Sequence, residues 1–211
     1  MKAAIFDMDG TLLDSMGMWR SVMPNYFASL GFADGEEVNR VIEKMTFDEA
    51  ATYVREHYGI EKTVAEIYKE MEGNIFHAYN TWIEAKPLVP EYLAFLQARG
   101  VRMCIATLTD RYMAEAVLGR LGLTPYFEFI LTVAEAGAQK DRPDIFLQAA
   151  ERLESSVAES VVFEDAPYAI RTAKEAGFTV YGIFDRAQEY PPGFTDTYCD
   201  RFIRDYAEIM K

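Results

Sequence analysis

Five short apolar runs, separated where the chain permits by helical patterns, constrain the fold of this chain more than any other feature. They are Lys2–Asp7, Val101–Thr107, Phe127–Leu131, Ser160–Glu164 and Phe178–Ile183. Each has the length and apolar continuity of a strand buried within a sheet. Helical patterns at Leu88–Arg99, Arg111–Leu121, Pro143–Leu153 and Tyr168–Ala176 lie between the later runs. Gly100, Gly122 and Gly177 stop three of them, as glycine does where a helix closes in the left-handed turn. Apolar strands joined by such helices are βαβ units. The expected class is α/β, a parallel sheet with helices on both faces. Tyr190–Phe194 reads as a loop, and Arg201–Met210 as a short edge strand and a last helix.

Between Met16 and Lys86 this rhythm breaks. No run there reads as a strand, and helical periodicity occurs at Trp19–Leu30, Glu36–Lys44, Phe47–Tyr58 and Val64–Ala85. A connection of that length is better explained as an inserted helical domain than as a crossover. The expected division is therefore a core of residues 1–15 and 87–211, with a helical cap domain of residues 16–86.

At 211 residues the chain suits one domain with a modest insert. With 14 Phe and 13 Tyr it carries ample material for a core, which argues against disorder. Its formal charge of -13 argues against nucleic acid or an anionic membrane as partner. Small anionic substrates stay open, because a local site can be positive on a negative protein. Cys104 and Cys199 are too few for a disulfide framework, and Cys104 reads as a core thiol. No stretch approaches the ~20 apolar residues of a membrane span. The first run leads straight into Asp7 and does not read as a secretory signal, so the expected location is cytoplasmic. Oligomeric state is left open.

In an open parallel sheet, ligands bind beyond the carboxyl ends of the strands. There the first run delivers Asp7 and Asp9, the second Thr107, and the fourth Glu164 and Asp165; Lys140 follows the third. Carboxylates gathered in one place need a cation among them, and hard oxygen ligands suit Mg²⁺. Lys140 and Thr107 supply the charge and hydrogen bond that a phosphoryl group needs. Asp7 is then the expected nucleophile, and Asp9 the acid that protonates the leaving oxygen and later deprotonates water. Thr109 and Asp110 read as caps of the next helix, and His57 and His77 as surface or packed imidazoles. Glu164 is the weakest of the acids in this reading, since a strand-end carboxylate can simply face solvent.

Asp7-Met-Asp9-Gly-Thr-Leu-Leu-Asp-Ser15 resembles the first motif of the haloacid dehalogenase superfamily, in its phosphatase and phosphomutase branch. Thr107 closing Cys104-Ile-Ala-Thr resembles the second, Lys140-Asp-Arg-Pro-Asp-Ile-Phe146 the third, and Val161-Val-Phe-Glu-Asp165 the fourth. The resemblance implies a Rossmann-like core, a helical cap after the first motif, and one Mg²⁺. It also implies that Asp7 and Asp165 ligate by side chain and Asp9 by its carbonyl, with Glu164 nearby or acting through water. Two positions depart from the pattern. Asp141 replaces a proline, which loosens that loop or pairs with Lys140, and Ala166-Pro167 stands where a serine is usual.

Hydrolysis of a small phosphorylated metabolite is the expected activity. A dehalogenase would not use an acid at Asp9. A β-phosphoglucomutase-like mutase is the nearer alternative, yet its cap grips a second phosphate with His and Arg. Trp19 and Phe47 align with those positions, with Lys44 and Arg20 as neighbouring cations. Trp19, Phe47 and Leu108 are therefore expected to line the substrate, with cap closure bringing the two aromatics to the leaving group. A phosphoreceiver or binding module also combines acids, Thr, Lys and Mg²⁺ on such a sheet, but needs neither Asp9 nor a cap.

Overall fold

The computed structural model describes the backbone of residues 1–31, 38, 41 and 47–210, and the side chains of all these except 23 and 47–50. Two compact units emerge: Met1–Met16 with Ile83–Lys211, and Gly17–Trp82.

The first unit holds six parallel strands: β1 Ala3–Phe6, β2 Arg102–Thr107, β3 Phe129–Thr132, β4 Ser160–Glu164, β5 Thr179–Ile183 and β6 Arg201–Ile203. Their order is β3-β2-β1-β4-β5-β6. β1 pairs with β2 on one side and β4 on the other, and all four of its residues are fully buried. Burial on both faces is why the run reads as continuously apolar. On one face Ile5, Cys104 and Val162 pack with Ile145, Phe146 and Ala149 of helix Asp144–Arg152 and with Ile170 of helix Pro167–Glu175. On the other, Phe6 stacks on Phe163 at 4.3 Å. Tyr92, from helix Val89–Gln97, meets Phe163 edge-on at 5.8 Å. Each fully buried Phe or Ile is worth about 1.5–3 kcal/mol relative to exposure, so sliding β1 to re-aim its tip would be costly on both faces at once.

Three boundaries differ from the sequence reading. β3 starts at Phe129, two residues later than the apolar run, because Pro125 sits in a 3-10 turn at Thr124–Tyr126. The final segment forms the expected edge strand, but its last helix is a 3-10 turn, Tyr206–Ile209. Phe194, taken as the end of a loop, begins the short helix Phe194–Tyr198.

The second unit contains most of helix Met16–Ser29, with Phe47–Tyr58 and Val64–Thr81. Thr63 and Glu66 form a capping box that satisfies the first free N–H groups of Val64–Thr81. Ile67, Met71, Ile75 and Ala78 then bury one face of that helix at spacings of three and four. The helix stops at Thr81, short of the expected Ala85. Apart from Val38 and Val41, the expected helix Glu36–Lys44 lies outside the described residues. Among the described residues no helix is long and apolar enough to cross a membrane.

Ala85 instead makes an antiparallel bridge with Leu13. The Asp14 N–H donates to Glu84 O at 3.0 Å, and the Lys86 N–H to Leu12 O at 2.8 Å. The departing and returning segments of the insert are thus stitched to each other beside the β1 tip.

Candidate active site

The β1 tip is fixed by its neighbours. The Asp7 N–H donates to Phe163 O at 2.9 Å, and the register Phe6↔Phe163 sets Asp7 level with Glu164. Beyond Asp7 the chain turns tightly, with the N–H groups of Leu12 and Leu13 both donating to Met8 O at 2.9 Å. Gly10 adopts φ +84° there, and a Cβ on it would lie 2.7 Å from Asp165 Cγ and 2.9 Å from Met16 Cγ. Only glycine tolerates both that backbone and that closeness.

Lys140 reaches the same place from the far side of β2. A capping box of Thr132 and Glu135 starts the short helix Val133–Ala136, and Gly137 at φ 70° ends it, turning the chain toward the strand tips. The Lys140 ammonium, 1% exposed, donates to Asp7 Oδ1 at 2.5 Å and to Glu164 Oε2 at 2.8 Å. Burial alone would depress its pKa, but the charges of Asp7 and Glu164 hold it above the usual lysine value. Asp141 is exposed and is not among the partners of Lys140, contrary to the pairing considered from sequence.

Asp7, Glu164 and Asp165 form a buried group with one carboxylate oxygen from each lying within 4.8 Å of the others. Three carboxylates against one ammonium leave an excess of negative charge. Two like charges at that separation repel by about 3–4 kcal/mol at an effective dielectric of 20. Burial, then the neighbouring Glu164, pushes the Asp165 carboxyl up to about 7. Asp7 is raised well above its ordinary value for the same two reasons, against the pull of Lys140. Among the described residues, the buried Asp7 Oδ2 has no hydrogen-bond partner. An orphaned, buried carboxylate oxygen in an acid-rich cluster fits a divalent cation with oxygen ligands.

Glu164 does not face solvent: it is buried, bonded to Lys140 through Oε2 and to the Ala166 N–H through Oε1 at 3.1 Å. Ala166 and Pro167, the departure from the usual pattern, form the start of helix Pro167–Glu175.

Asp9 stands outside the three-acid group. Its carboxylate accepts from the Ser15 hydroxyl and the Thr109 hydroxyl, each at 2.6 Å. Thr109 is therefore not the helix cap expected of it; Asp110 takes the N-cap position of Arg111–Arg120, without a side-chain bond. The buried Thr107 hydroxyl accepts from the Thr109 N–H at 3.0 Å, which ties the β2 tip to the residue holding Asp9. Leu108 between them is 48% exposed. Trp19 belongs to the helical unit, where its indole N–H donates to the Tyr79 hydroxyl at 3.2 Å. Phe47 opens helix Phe47–Tyr58, and its side chain, like Lys44, lies outside the described residues.

Three residues reach Asp165 that the sequence did not single out. The Thr11 hydroxyl donates to Oδ1 at 3.2 Å, the Gln188 amide to Oδ2 at 2.8 Å, and the Tyr190 hydroxyl to the backbone carbonyl at 3.0 Å. Thr11 was within reach of sequence reasoning, since it follows Gly10 directly. Gln188 was not: a polar residue after the fifth strand carries no signal of its own.

Residues 1–177 match the sequence profile of the haloacid dehalogenase-like hydrolases. The chain is 28% identical over 184 residues to the phosphorylated carbohydrates phosphatase of Thermotoga maritima, covering 87% of this chain and 85% of that protein. It is 29% identical over 182 residues to fructose-1-phosphate phosphatase YqaB of Escherichia coli, covering 82% and 91%. A crystal structure from Thermotoga maritima, of a protein provisionally named a beta-phosphoglucomutase, superposes with a TM-score of 0.86 at 26% identity, over 100% of this chain and 97% of that one. The chain belongs to the haloacid dehalogenase-like hydrolases, and it is an enzyme of that family.

Proposed function

We propose that this enzyme hydrolyses a small phosphorylated metabolite, a sugar phosphate first among them, by passing the phosphoryl group through Asp7. The observation that carries the reading is the orphaned Oδ2 of Asp7, buried in a group of three acids with one ammonium. The similarity to phosphatases of phosphorylated carbohydrates and of fructose 1-phosphate supports the substrate class.

Asp7 and Asp165 would hold Mg²⁺ by side chain and Asp9 by its carbonyl, the ligand set the family resemblance implies. When bound, the cation offsets the crowded carboxylates and draws electron density from a phosphoryl oxygen. Asp7 attacks phosphorus, and the bond to the leaving oxygen breaks. Asp9 gives that oxygen its proton, then takes one from the water that attacks the aspartyl-phosphate, releasing phosphate and restoring the Asp7 carboxylate. Ser15 and Thr109 hold Asp9 for this exchange. Lys140 keeps Asp7 oriented through Oδ1 and offers positive charge to the phosphoryl oxygens, with the Thr107 hydroxyl at the neighbouring tip.

The test is phosphate release from p-nitrophenyl phosphate and a panel of sugar, nucleotide and carboxylic-acid phosphates, with Mg²⁺ and with EDTA. Mg²⁺-dependent release with a preference among sugar phosphates is expected. A phosphoenzyme that forms and does not turn over would make the chain a receiver. A second reading, phosphomutase, is favoured by the likeness to the Thermotoga maritima structure. Conversion of glucose 1-phosphate to glucose 6-phosphate without phosphate release would select it.

A further inference from the structure

Asp165 is gripped on both oxygens. Thr11 donates to Oδ1 at 3.2 Å, and Gln188 donates to Oδ2 at 2.8 Å. A carboxylate can only accept, so the Gln188 amide must present its NH₂ group. The segment that carries Gln188 is anchored on either side of it. Asp185 is buried, paired with Lys86 at 2.8 Å through Oδ2, and accepts the Ala187 N–H through Oδ1 at 2.8 Å. Two residues after Gln188, the Tyr190 hydroxyl accepts from the Asp185 N–H at 3.3 Å and donates to the Asp165 carbonyl at 3.0 Å. The amide is thus aimed by a braced loop and does not depend on the chance conformation of an exposed side chain.

We propose that Gln188 is a positioning residue that sets which divalent cation the site prefers. The proposal rests on the reading that Asp165 is a metal ligand. A carboxylate with both oxygens free can clasp an ion with two bonds, the mode that the larger Ca²⁺ shell of 6–8 oxygens accommodates. Mg²⁺ requires near-octahedral geometry and takes one oxygen per carboxylate. The Gln188 N–H group occupies Oδ2 and sets a partial positive charge where a doubly bound cation would have to sit. Oδ1 accepts only the longer bond from Thr11 and keeps a second lone pair, so Asp165 offers the cation that one oxygen, in a fixed orientation, which favours Mg²⁺. Partners of this kind orient the ligand and tune its ion without touching it.

Gln188→Met keeps the length of the side chain and removes the donor; Gln188→Ala removes both. Gln188 is partly exposed, so neither change opens the core. Calorimetric titration of the full-length chain and both variants with Mg²⁺, and separately with Ca²⁺, reads the effect directly. Both variants are expected to lose about ten-fold or more in Mg²⁺ affinity, with Ca²⁺ affinity unchanged or higher. The Mg²⁺ concentration for half-maximal turnover of p-nitrophenyl phosphate rises in parallel. An Mg²⁺/Ca²⁺ affinity ratio equal to that of the parent in both variants overturns the proposal, even if both affinities fall together, because a merely structural role lowers them alike. A parent chain that binds neither cation overturns the metal reading of Asp165 itself, and with it the role of Gln188.

Discussion

Asp7 carries two demands that pull in opposite directions. It is buried among like charges, which favours a proton on it, and it is aligned by Lys140, which favours the carboxylate. A nucleophile needs the second state. Asp7→Asn is nearly the same size and removes the nucleophilic oxygen, so kcat should fall on the order of a thousand-fold or more. Because the substitution also removes one of three crowded charges, circular dichroism and cooperative unfolding should persist in the variant. Activity within ten-fold of the parent would refute the assignment. The acids themselves were legible in the sequence because each stands where an apolar strand run ends, a position that parallel-sheet geometry turns into a tip. Thr109 was misread because a threonine before a helix has two equally ordinary uses, as a cap or as a donor to whatever lies across the tip. Only the spatial neighbour, Asp9, decides between them.

Among the elements, strands were easier to read than helix ends. A run buried on both faces announces itself through continuous apolar residues, and each of the five lies in or beside an observed strand. Helix Val64–Thr81 shows the difficulty. Its start is written plainly, as Thr-x-x-Glu ahead of an apolar stripe, whereas its end is not. Residues 82–85 continue a helical pattern that pairing with Leu12–Asp14 overrides. The capping box gives this helix a local test. Thr63→Ala leaves an N–H group of the first turn without its partner and should cost about 1 kcal/mol of stability. Chemical denaturation of the two chains side by side measures it. A difference below a few tenths of a kcal/mol would show that the box contributes little here.

At the scale of the whole molecule, protons and a divalent cation compete for one cluster. An aspartate ordinarily titrates near 3.8, and burial beside Glu164 holds Asp165 up to about 7. Between those values the unfolded chain has released a proton that the folded chain retains. The contribution of this group to stability therefore falls as pH rises through that interval and is lowest above it. A bound cation replaces the proton and relieves the same repulsion. The rise in Tm caused by saturating Mg²⁺, relative to EDTA, should be larger at pH 8 than at pH 5.5. Thermal melts at the two pH values check this; an equal or larger rise at pH 5.5 would contradict it. No reading of composition reaches this result, since the net charge of -13 is a property of the surface as much as of the site.

The bridge between Leu13 and Ala85 has one more consequence. A segment whose two ends are stitched side by side is a detour, and the order of the six strands does not depend on what the detour contains. Its helices can be lengthened, trimmed or exchanged while the chemistry at the tips is kept.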